Sequence, residues 1–210
     1  MKLNLGCRDC PRLAAHLDSV RESFPEYHAR PVPAFGDEEP NLLIVGLAPG
    51  LHGANRTGRP FTGDHAGILL YSTLHRFGFA SRPESAASND GLILHRCRIT
   101  NAVKCLPPKN KPLPSEVRNC NGYLRAELAV LAQGSVTLTL GATAHRAVLM
   151  ALDLRVRNFP FAHGAVYSLP RGLTLKASYH CSRYNTQTKR LTTEMFAQVF
   201  QSIVAQLCRT

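Results

Sequence analysis

Two runs of apolar and β-branched residues, 42–45 (Leu-Leu-Ile-Val) and 136–140 (Val-Thr-Leu-Thr-Leu), each end in a glycine, Gly46 and Gly141. Two weaker runs, 97–101 and 173–178, have a similar shape. Short runs of this kind, separated by segments of helical periodicity, read as buried parallel strands joined by crossover helices. The helical segments are 11–20, 64–77, 114–132, 142–151 and 192–207, with Ser115 a candidate cap for the third. The Pro-, Gly- and Asn-bearing stretches 27–40, 51–63, 81–91 and 106–114 read as loops, 81–91 being a surface insertion. The β-α alternation predicts an α/β layered fold. A site is then expected beyond the carboxyl ends of the strands, where the strand order reverses. Three of the four candidate strands do run into polar or glycine-containing segments there: 46–64, 101–105 and 179–185.

A chain of 210 residues, 44% apolar and 19% charged, fits one globular domain over 1–210. No stretch approaches the roughly 20 apolar residues that cross a bilayer, and the first residues lack the apolar run of a secretory signal. Membrane and exported classes are therefore disfavoured, and a cytoplasmic location is expected. Lys and Arg number 25 against 14 Asp and Glu, a net charge of +11 that suits a polyanionic partner or a well-solvated surface. Seven cysteines do not make a closed disulfide set. In a reducing compartment, metal or cluster ligation is the better reading of closely spaced thiols.

Cys7 and Cys10 form a C-x-x-C pair, and Cys105 and Cys120 follow much later in the chain. Four thiolates suit tetrahedral zinc or an iron–sulfur cluster, and spacing alone leaves both open, along with no metal at all. Cys97, Cys181 and Cys208 have no close partner and read as small buried hydrophobes.

Gly46-Leu47-Ala48-Pro49-Gly50 has small residues that let backbone N–H groups approach a ligand, although taken alone it reads more simply as a plain strand-to-loop turn. Phe61, in the polar glycine-rich loop that follows, offers an aromatic face on which a nucleobase can stack. Asp64 stands where the next helix should begin, as its N-cap or as a group that orients water or faces a developing cation. The Asn101 amide has the donors and acceptor needed to read a pyrimidine edge. Lys104, Lys109, Lys111 and Arg118 are candidate phosphate contacts beside it. His180 is placed to donate to an oxygen that gains charge during bond cleavage. Ser182, Arg183, Tyr184 and Asn185 add donors and groove-entering side chains after it.

Taken together, these segments resemble the uracil-DNA glycosylase superfamily, and within it the type B (family 5) bacterial and archaeal enzymes. The resemblance rests on Cys7-x-x-Cys10-Pro11-Arg12-Leu13, Arg30-Pro31-Val32-Pro33-Ala34-Phe35-Gly36-Asp37, the 46–50 motif, the 53–64 segment, Thr100 to Cys105, Cys120, and the segment from 179 to 191. It implies a three-layer α/β/α sandwich with a four-stranded parallel sheet. It also implies a structural 4Fe-4S cluster on Cys7, Cys10, Cys105 and Cys120. The extruded base would lie between Gly46, Leu47 and Ala48 and the His180 segment, stacked on Phe61 and paired with Asn101. His180 would stabilise the leaving base and Asp64 would assist water or the sugar cation, while Lys104 and residues 182–185 would hold the DNA. The implied activity removes uracil from double- or single-stranded DNA, and hypoxanthine, hydroxymethyluracil and ethenocytosine with it, as a monomer. The alternatives are a non-catalytic iron–sulfur nucleic-acid-binding protein and a zinc-containing nucleotide hydrolase. Leu47, where type A enzymes carry Glu, points to type B. Gly50, Cys181 and Lys189 depart from the more frequent Ala, Pro or Val, and Gly.

Overall fold

The computed structural model describes residues 1–208. Six strands form one sheet: β1 (Phe35–Gly36), β2 (Leu42–Gly46), β3 (Cys97–Asn101), β4 (Val136–Leu140), β5 (Val166–Ser168) and β6 (Thr174–Ser178). Their order is β1-β3-β2-β4-β6-β5; the four central strands are parallel, and β1 and β5 are antiparallel edges. The expected four-stranded parallel sheet is thus the centre of a wider one. The two added strands have two and three residues, too short to show alternation in a sequence. The order of the central strands reverses between β2 and β4, which places the topological switch beside the end of β2.

The helices are α1 (Pro11–Ser23), α2 (Ala54–Thr57), α3 (His65–Arg76), α4 (Pro114–Ala129), α5 (Ala142–Ala151), α6 (Arg183–Gln187) and α7 (Thr193–Leu207). Alternation along the sheet explains how they layer. Leu43 and Val45 point into a core shared with Leu13, Leu17, Leu124 and Val148 from α1, α4 and α5. Leu42 and Ile44 point the other way, towards Leu70, Leu74, Phe196 and Phe200 from α3 and α7. All five residues of β2 are buried, as a central parallel strand covered on both faces requires.

Two local readings need correction. Ser115 does not cap α4: Pro114 takes the first helical position, and Glu116 Oε2 reaches back to accept from the Leu113 N–H at 2.7 Å. Cys97 and Cys181 are buried, but Cys208 follows the last turn of α7 and is exposed. Lys189 adopts a φ of +56°, a conformation that explains why glycine is the easier residue in that turn.

One position breaks the apolar pattern of the core strands. Lys176, in β6, is only 3% exposed. Its Nζ donates to the Ser202 carbonyl at 2.8 Å and to the Ser202 hydroxyl, with no carboxylate partner among the described residues. Burial lowers its pKa. Charged Lys176 therefore costs stability below its folded pKa, and that cost disappears as pH rises towards the unfolded value of about 10.4. Lys176→Met is expected to melt above the wild type at pH 7, with the difference narrowing as pH approaches 10. Thermal denaturation across that range checks it, and a lower-melting variant would show that the Ser202 bonds outweigh the burial.

Candidate functional site

The site begins with strand register. Gly46 is paired with Asn101 across the β2–β3 ladder, so the two motifs leave the sheet at the same height. The pairing continues past the strands: Ala102 N–H donates to the Gly46 carbonyl at 2.9 Å and Val103 N–H to the Leu47 carbonyl at 3.0 Å. Glycine at 46 is a packing requirement. A Cβ there would lie 2.6 Å from Phe61 Cζ and would also collide with the Asn101 amide oxygen.

Phe61 is held in a strained conformation, with φ of +54°, by several anchors. Tyr71 Oη donates to the Pro60 carbonyl at 2.8 Å, and Gly67 leaves room for the Phe61 carbonyl against α3. The Arg59 guanidinium is 5% exposed; it donates to Asp90 Oδ1 at 2.8 Å, Ser85 Oγ at 3.0 Å and the Ser88 carbonyl at 2.5 Å. Thr62 and Ser85 add a hydroxyl pair at 2.7 Å. The 81–91 segment is therefore the brace of the Phe61 loop rather than a detached surface insertion.

Of the roles considered for Asp64, the capping one is observed. It is the N-cap of α3, with Oδ1 accepting from the Gly67 N–H at 3.0 Å. Oδ2 turns towards Gly50 and Gly53, whose missing side chains leave it space. Burial raises the Asp64 pKa, opposed by the N–H groups of Gly67 and Ala66. His180 follows β6 and packs over Gly141, which has φ of +95°. Burial pushes the His180 pKa down to about 4, so the ring is neutral near pH 7. Its ring lies 5.8 Å from that of Phe61, inclined by 29°.

Phe61, Asn101, His180, Asp64, Leu47 and Ala48 all line one cavity of about 340 Å³ at the carboxyl ends of the strands. The Asn101 amide oxygen is buried and has no hydrogen-bond partner, an acceptor left over by the fold. Asp64 also borders a larger hollow of about 740 Å³, with His52, His65, Glu84 and Arg183 around it.

The proposed DNA contacts divide. Ser182 lines the cavity and caps α6, accepting from the Asn185 N–H at 3.4 Å. Tyr184 is 70% exposed and Arg183 is also exposed. Asn185 uses its amide within the protein: Nδ2 donates to the His180 carbonyl at 2.8 Å and fixes that loop. Lys104 is 2% exposed and its Nζ donates to Thr100 Oγ1, so it is too deep to reach a phosphate. Strand burial continues through the turn after Asn101, which its charge in the sequence concealed. Lys109, Lys111 and Arg118 are exposed.

The sequence reading missed Asn110, which lines the same cavity. Lys109 and Asn110 both have φ of +55°. The proline-flanked Lys109-Asn110 pair was the available signal, and it looked like an ordinary turn. Asn55 is fully buried with neither side-chain amide atom partnered, and nothing in the structure explains it.

The four cysteines converge at the other end of the Asn101–Cys105 turn. Cys7, Cys10, Cys105 and Cys120 surround one hollow with Leu13, Asn119 and Tyr123. Burial, then the neighbouring thiols of Cys120, Cys7 and Cys10, push Cys105 up to about 12. The Lys104 N–H donates to Cys120 Sγ at 3.3 Å and Asn119 Nδ2 to Cys10 Sγ at 3.5 Å. Among the described residues, no three His, Cys, Asp or Glu side chains are closed upon a single ion. Burial makes the thiols of Cys10, Cys105 and Cys120 resist ionisation unless positive charge joins them, and N–H donors to sulfur suit bound thiolates.

The family model described as the Uracil DNA glycosylase superfamily matches residues 33–204. The chain belongs to that superfamily. It is 52% identical over 199 residues to a type-5 uracil-DNA glycosylase of Thermus thermophilus, covering 92% of this chain and 90% of that one. A type-5 uracil-DNA glycosylase of Pyrobaculum aerophilum is 41% identical, with 96% and 89% covered. A type-4 uracil-DNA glycosylase of Archaeoglobus fulgidus is 33% identical over 71% of this chain and 69% of its own. The structure of wild-type SMUG2 from Pedobacter heparinus superposes with a TM-score of 0.52 at 15% identity, covering 93% of this chain and 85% of that one, a likeness of fold. No described helix is long and apolar enough to cross a membrane.

The brace yields a test. The Asp90 carboxylate pKa is held down at about 2 by the Arg59 guanidinium and the N–H groups of Leu92, Ala87 and Ala86. Its contribution is fully present above an unfolded pKa near 3.9 and is lost as pH falls through about 2. Asp90→Asn is expected to lose on the order of 2 kcal/mol at pH 7 and to slow any chemistry that depends on Phe61. The melting gap from wild type should shrink between pH 4 and pH 2; a constant gap would assign the loss to hydrogen bonding alone.

Proposed function

We propose that this superfamily member is a DNA repair glycosylase that turns uracil out of the helix and hydrolyses its N-glycosidic bond, leaving an abasic site. The observation that carries the reading is the meeting of a stacking ring, an unpartnered amide and a neutral imidazole in one cavity: Phe61, Asn101 and His180. A base inside a duplex is out of reach, so the nucleotide must be extruded into such a pocket. Phe61 supplies the face on which it stacks. Asn101 Oδ1 accepts from the imide N–H of uracil, and its Nδ2 donates to the adjacent carbonyl, a pairing that the extra amine of cytosine would disrupt.

The bond then breaks towards a sugar cation and a base anion. His180, uncharged at neutral pH, donates a ring N–H to the base oxygen that gains the charge, and Asn110 adds an amide at the rim. Donors of this kind are worth about 3–4 kcal/mol each where water is excluded. Leu47 offers no acid to activate water. Asp64 is the remaining carboxylate, with Oδ2 free of its capping role to face the cation or orient the attacking water. Hypoxanthine and hydroxymethyluracil keep an N–H beside a carbonyl and fit the same amide; ethenocytosine, which lacks that N–H, would be held by stacking on Phe61. Arg183, Tyr184 and Ser182 stand on the side from which DNA approaches, and the surplus of basic residues supplies attraction to phosphate.

Four thiols brought together from three stretches of chain suit a 4Fe-4S cluster. Cys7, Cys10, Cys105 and Cys120 would hold it, and when bound it supplies charge and covalent bracing, not chemistry on DNA. Cys105 ends the short segment that starts at Asn101, so anchoring one end steadies the other.

Release of free base from a panel of uracil-, hypoxanthine-, hydroxymethyluracil- and ethenocytosine-containing oligonucleotides, single- and double-stranded, tests the activity. His180→Ala is expected to lower single-turnover excision of uracil by about 10²–10³-fold while DNA affinity changes little. Wild-type excision should show no inflection near pH 6.5, because a histidine titrating at about 4 does not change charge there. An inflection at that pH, or release of base by the alanine variant at the wild-type rate, removes His180 from the mechanism. Cys120→Ser is expected to lose iron and brown colour and to melt lower than wild type, read by iron assay and thermal denaturation. Full iron content in that variant would refute the cysteine assignment.

A further inference from the structure

Among the described residues the His180 ring forms no hydrogen bond with the protein, so its aim depends on how its backbone is held. After it, Asn185 fixes the His180 carbonyl; beneath it lies Gly141. Before it stands a second histidine that neither sequence reading nor mechanism has used. His163 lies in the segment leading into β5. Its Nδ1 accepts from the Tyr179 N–H at 3.2 Å. Its ring lies against the Tyr179 ring, centroids 5.1 Å apart and planes inclined by 17°. The Arg190 guanidinium packs on Tyr179 as well, 4.6 Å from the ring centroid. Burial lowers the His163 pKa, opposed by a hydrogen bond to the backbone of Met195 in the first turn of α7.

The hydrogen-bond pattern defines the tautomer. Nδ1 accepts from the Tyr179 N–H and lies 3.4 Å from Ser178 Oγ, so the proton of the neutral ring sits on Nε2. His163 thereby ties the end of β6 to the segment leading into β5, one residue before His180. Without it, the Tyr179 N–H is a half-buried donor with nothing to meet, and the strand end is free to turn. A shift of about 1 Å at a donor to a reacting atom costs on the order of 100-fold in rate.

We infer that His163 is a positioning residue that sets the pose of His180 through the Tyr179 backbone. The inference rests on His180 acting on the leaving base.

The test compares His163→Leu, which keeps bulk without an acceptor, with His163→Asn and His163→Gln. Asn places its oxygen close to where Nδ1 stood; Gln carries it too far. Single-turnover uracil excision, DNA affinity and melting temperature are measured for each, alone and in a His180→Ala background. H163L and H163Q are expected to lower excision about 10–100-fold, with affinity within three-fold of wild type. H163N should recover most of that rate despite losing the ring stack. In the His180→Ala background none of the three should slow the residual reaction further, whatever it does to melting.

Excision by H163L and H163Q within three-fold of wild type, no recovery in H163N, or an equal loss in both backgrounds overturns the inference. Should H163L fail to fold, the H163N and H163Q pair decides by the same comparison. If His180→Ala itself excises like wild type, the proposed mechanism falls and this inference with it. A normal His180→Ala defect beside an unaffected H163L removes only this inference.

Discussion

The parallel pairing of β2 with β3 is the constraint from which the cavity follows. It sets Gly46 opposite Asn101 and is prolonged by the bonds from Ala102 and Val103 to the first-motif carbonyls. Two segments more than fifty positions apart in the chain thereby leave the sheet as one backbone surface. A one-residue slip would invert the faces of β3 and carry the Asn101 side chain away from the cavity. The alternation of β3 opposes that slip: Cys97 and Ile99 pack in one layer, while the Arg98 guanidinium between them bonds the Gly36 and Asp37 carbonyls.

Around that frame the protein separates charge from chemistry. Its basic residues lie mostly on the surface, where attraction to phosphate costs little. The cavity holds a neutral imidazole, two amides and a carboxylate in surroundings of low polarity, where each dipole acts at close to full strength. Strain gathers there as well: Phe61, Lys109 and Asn110 all have positive φ. These conformations are fixed during folding, by the Arg59–Asp90 pair in the first case, rather than imposed when a ligand arrives.

The parallel core was legible because two of its strands are apolar runs ending in glycine, and the motifs after the strands could be ordered along the chain. The edge strands were not, because two or three residues carry no period. Lys104 and Asn185 were misread for a shared reason. Residue type suggested contact with DNA, whereas one side chain is buried beyond a strand end and the other is engaged by the His180 carbonyl. Asn110 and His163 escaped notice because an asparagine in a proline-rich turn and a histidine before a glycine are ordinary in sequence. Only the fold shows which cavity one lines and which N–H the other receives. The 81–91 segment looked dispensable for the same reason, since Asp90 finds its arginine 31 positions upstream.

The zippered backbone beneath the base also bears on how the cavity keeps its shape. One jaw of the cavity, made of residues 46–48 and Asn101, cannot retreat without breaking main-chain bonds. Asn110 and Ser182, which also line the cavity, are held by bonds within their own turns: Asn110 N–H to the Pro107 carbonyl and Thr186 N–H to the Ser182 carbonyl, both at 3.0 Å. The wall of the cavity built on the sheet is thus anchored by long-range pairing, and the wall built from Asn110 and Ser182 by short-range turns, two different ways of holding a shape.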